Sequence, residues 1–195
     1  MTVVSAGMAA FIAAGALAGW RIERRDETRR LTLPPDVIER YGSLPPSYEA
    51  FIAGVNRASS ADDGVWFVCE PDLDERDPKA FAWNEIEKMA LASATDAAEK
   101  QRITSFWDRH FPIMMAPNGD YDYVAIVVTG VGQGSVVHGF APEWEEVDRV
   151  ADSFENWLLM LAHALREPGA PAGPLALRVM SRSLAERVVT GHGLE

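Results

Sequence analysis

The sequence predicts an α+β domain, and three observations predict it. Phe111 to Ala116, Tyr121 to Thr129 and Ser135 to Phe140 are short apolar runs separated by turn residues, the pattern of an antiparallel meander. Helical spacing recurs on both sides of them, in Tyr48, Phe51, Ile52 and Val55 and again in Phe154, Trp157, Leu158, Leu161, Ala162 and Leu165. A hydrophobic fraction of 48% beside 24% charged residues supplies a core for one domain of 195 residues, which a disordered chain could not do.

Taken in order, residues 1–20 carry no charged side chain and are followed by Arg21, Arg24, Arg25, Arg29 and Arg30. The run is about long enough to span a bilayer, and Gly15 and Gly19 form a small-xxx-small pair. It is, however, mostly Ala and Gly, and no basic residue precedes it as a signal peptide requires. A helix packed on the domain or on a second copy in a homodimer is the expectation, with a membrane anchor as the alternative. Leu44-Pro45-Pro46 then starts a helix, since proline at the first turn forfeits no hydrogen bond, and Asn56 stops it. Arg57 to Gly64 reads as a polar loop, Val65 to Cys69 as a buried strand, and Glu70 to Pro78 as an acidic loop. Helices follow from about Asn84, with Ile86, Met89 and Ala90 inward, and from a Thr95 cap towards Arg109. Ser153 caps the helix that begins at Phe154, Glu167 to Pro174 is a linker, and Leu175 to Val189 is a last amphipathic helix. The organisation is therefore residues 1–32, a helix and an arginine-rich segment; 33–167, the α+β domain; and 168–195, linker and C-terminal helix.

The templates of catalysis fail at named places. Gly130-Val131-Gly132-Gln133-Gly134-Ser135 ends in serine and leads into a strand, where a dinucleotide fingerprint needs glycine and a helix, so it is a hairpin connection. Asp72-x-Asp74 and Asp120-x-Asp122 open like calcium loops, but neither has glycine at the sixth position, where the first carries Asp77. The histidines at 110, 138, 163 and 192 form no zincin pair; His110 reads as a partly buried edge residue, His163 as solvent-facing and His138 as free to point outward. Cys69 is the only cysteine and lies in an apolar run, so it acts as a small hydrophobe. No cofactor, no metal and no enzymatic activity are expected.

Eighteen basic residues face 29 acidic ones, a formal net charge of -11. A nucleic-acid partner would demand the opposite sign. The acidity serves either solubility alone or the steering of a basic partner protein. Its distribution favours the second. Between Arg57 and Arg76 lie only Asp62, Asp63, Glu70, Asp72, Asp74 and Glu75, and between Arg109 and Arg149 only Asp120, Asp122, Glu143, Glu145, Glu146 and Asp148. If the two stretches share a face, Asp72, Asp74, Glu75, Asp120, Asp122, Glu143, Glu145 and Glu146 form an acidic contact patch, with Trp144 and Tyr121 or Tyr123 as aromatic anchors.

Three motifs also carry a resemblance. Leu44-Pro45-Pro46-Ser47-Tyr48-Glu49-Ala50-Phe51-Ile52, ending at Asn56, resembles the opening "LPxSYxxFL…N" of the SUKH superfamily, the Smi/Knr group that includes many bacterial immunity proteins. Phe111-Pro112-Ile113 through Asn118-Gly119-Asp120 resembles its "FxPI…GGD" middle, and Ser153-Phe154-Glu155-Asn156-Trp157-Leu158 its "SFxxWL" helix. The match runs over about residues 33–166, whereas Arg57 stands where the family often has glycine. The resemblance implies an antiparallel sheet backed by helices, with Tyr48, Phe51, Phe154 and Trp157 in the core and Gly119 and Asp120 in a turn. It also implies a cytoplasmic protein that binds rather than catalyses, its partner a toxin and often a nuclease. A structural scaffold, held at a membrane by residues 1–20, is the competing expectation.

Overall fold

The computed structural model describes residues 4–25, 30–74, 81–118 and 121–166. Seven strands form one antiparallel sheet in which spatial order equals chain order: β1 (Arg21–Arg24), β2 (Val55–Ser59), β3 (Trp66–Phe67), β4 (His110–Ala116), β5 (Asp122–Val127), β6 (Val136–Gly139) and β7 (Asp148–Ala151). The expected meander of β4, β5 and β6 is thus the centre of a longer one. Among the described residues the helices are α1 (Ala6–Leu17), α2 (Pro35–Tyr41), α3 (Pro46–Gly54), α4 (Glu85–Ser93), α5 (Ala97–Trp107) and α6 (Phe154–Ala164). The expected helix at Leu175 to Val189, the linker before it, and the Gly119-Asp120 turn lie outside the described residues.

Alternation along the strands fixes what each side of the sheet carries. Phe67 projects to the side where α1, α3 and α6 pack, its ring 4.9 Å from Phe11, 4.7 Å from Phe51 and 5.5 Å from Trp157. Tyr48, Phe51, Phe154 and Trp157 are all buried in this layer, as the resemblance implied. Tyr48 donates its hydroxyl to the carbonyl of Val68, so its one polar atom is satisfied inside the core. At one end of the sheet Arg40 of α2 grips Glu87 of α4 with two guanidinium bonds of 2.6 and 2.7 Å, and Asp108 at the end of α5 with a third of 2.9 Å.

The N-terminal helix belongs to this core. Ser5 caps it by accepting from Met8 N, and Glu155 in the first turn of α6 accepts from Gly7 N at 2.5 Å and from Ser5 Oγ at 2.5 Å. Met8, Phe11 and Ala14 are buried against the domain. Among the described residues no helix is long and apolar enough to cross a membrane. Arg21 to Arg24 form the edge strand β1, paired with β2 through Arg21↔Ser59, Ile22↔Ala58 and Glu23↔Arg57. Residues 4–25 are thereby continuous with the sheet and core of the rest. Val55 and Asn56, expected at the end of a helix, and Arg57 to Ser59, expected in a loop, form strand β2. Asp96 rather than Thr95 caps α5, accepting from Glu99 N at 2.7 Å, while Thr95 donates to Glu99 in return. His110 is half-buried on Phe106, and His163 is exposed, both as expected.

Candidate functional site: two concavities at opposite ends of the sheet

The carboxylates singled out in the sequence sort into three environments. Asp122 belongs to β5, a central strand in which all six residues are buried, so none can face solvent. Its Oδ1 lies 2.9 Å from His138 Nε2 on β6, and both side chains are sealed in the core. Asp122 is therefore not a contact residue, and His138 does not point outward. Tyr123 and Trp144 are corrected with it. Tyr123 is fully buried over Gly139 and donates its hydroxyl to the carbonyl of Trp144, which pins the β6–β7 connection to the sheet, and the Trp144 ring is itself buried. Of the anchors considered, Tyr121 alone has a surface ring, 37% exposed. Glu75 and Asp120 lie outside the described residues.

The β6–β7 connection then divides its acids. Glu145 turns inward, where its Oε1 accepts from Trp107 Nε1 at 3.2 Å. Burial pushes its carboxyl above the ordinary range, and the Trp107 hydrogen bond pulls it part of the way back. Glu143, Glu146 and Asp148 turn outward and, with Phe140 and Val147, line a concavity of about 320 Å³. None of these three carboxylates has an ion pair among the described residues, while the neighbouring Arg149 is turned to Asp152 at 2.8 Å.

The acidic stretch around Asp72 is used differently. Asp62 and Asp63 build the β2–β3 turn: Asp62 accepts from Ser60 Oγ at 2.6 Å and from Gly64 N at 3.1 Å, and Asp63 sits at φ 55°, a conformation Asp tolerates. Ser59 Oγ donates to Asp63 at 2.7 Å, and that bond, with Arg21 at 2.6 Å and Arg57 at 3.0 Å, lowers the Asp63 carboxyl. Glu70 is ion-paired to the buried Arg25, and Asp72 accepts from Cys69 N at 2.8 Å. Cys69 is buried, and burial pushes its thiol up, out of reactive range. Arginines absent from the stretch in sequence are thus delivered to it by β1, β2 and the residue after β1. Among the described residues, Asp72 lines a groove at the β1–β3 end of the sheet, and Glu143 and Glu146 line the concavity at the β6–β7 connection.

At the β1–β3 end a second concavity, a groove of about 480 Å³, opens on the side of the sheet away from α1, its lining including Glu23, Arg57, Asp63, Trp66, Asp72 and Phe81. Trp66 and Phe81 meet edge to face at 6.0 Å, and Tyr121 stacks on Phe81 at 6.2 Å. Sequence reading missed this shelf because its rings come from three separate segments. The one available signal was the doublet Trp66-Phe67, which pleating must divide between the two sides of the sheet.

A family model described as the SMI1 / KNR4 family (SUKH-1) matches residues 35–160. The chain belongs to this family. No curated protein matches it. The SUKH-1 span begins at α2 and ends within α6, so it includes the β6–β7 concavity entire. The groove at the other end of this SUKH-1 domain takes Trp66 and Phe81 from within the span and Glu23 from β1, outside it.

Proposed function

We propose that this SUKH-1 domain is a non-enzymatic immunity protein that binds a basic protein toxin, a nuclease being the class whose substrate-binding groove carries the complementary charge. The observation that carries the reading is the convergence of Glu143, Glu146 and Asp148 on one concavity with no cation paired to any of them among the described residues. Such an array presents negative charge at protein-sized spacing, which is what steers and holds a basic surface. The enclosure of His138, Asp122 and Cys69 supports binding over catalysis, because the residue types that usually perform chemistry are engaged inside the fold.

The test is protection. The full chain, co-expressed with a candidate nuclease toxin that arrests growth, is expected to restore growth. Glu143→Lys combined with Glu146→Lys is expected to abolish protection without lowering the Tm. Equal protection by the charge-reversed protein would overturn the reading.

A further inference from the structure

We infer that the groove at the β1–β3 end is a receptor for an arginine side chain of a partner protein, a second contact separate from the β6–β7 concavity. The inference rests on the protein-binding reading and adds where and what one contact is. Glu23 and Arg57 are direct cross-strand partners, the placement at which opposite charges ordinarily pair. Here they do not. Arg57 Nη2 is turned to Asp63 at 3.0 Å, and Arg21 reaches the same carboxylate from the other side at 2.6 Å. Glu23 is left exposed on β1 with no ion pair among the described residues, although an arginine stands opposite it.

Trp66, half-buried, lines the same groove, and Phe81 meets it edge to face, 6.0 Å between centroids and 82° between planes. A carboxylate without an ion pair and an indole lining one groove suit a guanidinium, because the planar cation can stack on the ring while its N–H groups meet the oxygens. The groove's 480 Å³ is enough for one long side chain with part of the backbone that bears it. Lysine would keep the charge but lose the stacking and the paired donors.

The experiment titrates the full chain with a capped Gly-Arg-Gly peptide and follows the indole N–H resonances, Trp66 being assigned through Trp66→Phe. The Trp66 signal is expected to move saturably with the arginine peptide and to stay in place with its citrulline counterpart. Glu23→Gln is expected to weaken binding by about fivefold, the upper end for one exposed ion pair. Asp63→Asn keeps a side chain suited to positive φ and releases Arg57 towards Glu23, so it is expected to weaken binding as well. Glu39→Gln, exposed on α2 and outside the groove lining, should leave it unchanged. An equal response to citrulline, or affinity unaltered in Glu23→Gln, would overturn the assignment. Loss of growth protection with peptide binding intact would instead remove the immunity reading and leave the arginine site standing.

Discussion

Gly139 illustrates how a single atom can be specified from across the sheet. A Cβ at this position would sit 2.6 Å from the ring and hydroxyl of Tyr123, which is wedged in place by its bond to the Trp144 carbonyl. Neither partner can retreat, so Gly139→Ala is expected to cost about 1–3 kcal/mol, read as a lower urea midpoint at constant m. The sequence showed a glycine in a strand. It could not show that the strand register sets Tyr123 opposite that glycine. Glu145 gives a second residue-scale expectation. A carboxyl raised by burial binds its proton more tightly in the folded chain, so its contribution to stability falls as pH rises from the unfolded carboxyl range through the raised folded value. Glu145→Gln retains an oxygen for Trp107 and removes the charge. Its Tm should exceed that of the parent at neutral pH, and the difference should close as pH falls below about 4, where the parent carboxyl is protonated in both states. A constant difference across pH would mean that burial of the charge is not the cause.

At the scale of elements, α1 decides how the N-terminus is understood. Phe11 is fully buried and touches Trp20, Phe51 and Phe67. Phe11→Ala is expected to lose about 3–5 kcal/mol, a large share of what a domain of this size possesses, and denaturant unfolding measures it directly. An appendage or anchor would lose nothing measurable. Glu155→Ala removes the acceptor shared by Gly7 N and Ser5 Oγ and should cost about 1–3 kcal/mol in the same assay. The helices α3 and α6 and strands β4 to β6 were legible because each buries an uninterrupted apolar face and has a cap or turn residue at its end. Strands β1 and β2 were not. Arg21-Ile22-Glu23-Arg24 and Val55-Asn56-Arg57-Ala58-Ser59 place apolar residues only on the side facing the helices, and their other side is the polar wall of the groove. With so few apolar positions in each, the alternation was hidden among arginines that read as a flank or a loop. The same segments therefore concealed both the edge of the sheet and half of the candidate site.

For the whole molecule, net charge proved a poor guide to where charge acts. The stretch around Asp72 matched the one around Glu145 in sequence, yet folding brings Arg21, Arg25 and Arg57 to Asp63 and Glu70. The second stretch loses Asp122 to the core and Glu145 to Trp107, but keeps Glu143, Glu146 and Asp148 at the surface without a counter-cation among the described residues. Long-range attraction should therefore be governed by the β6–β7 end. Exchanging these three residues for Gln, Gln and Asn changes the charge by three units and little else. At low salt the association rate with a basic toxin is expected to fall by about tenfold, because steering rather than contact is lost. Near 0.5 M salt, roughly where screening shortens to a few ångströms, the variant and the parent should associate at nearly the same rate. Stopped-flow association across that salt range separates the outcomes. A tenfold deficit that persists at high salt would assign these carboxylates to direct contact, and no deficit at low salt would remove them from the encounter altogether.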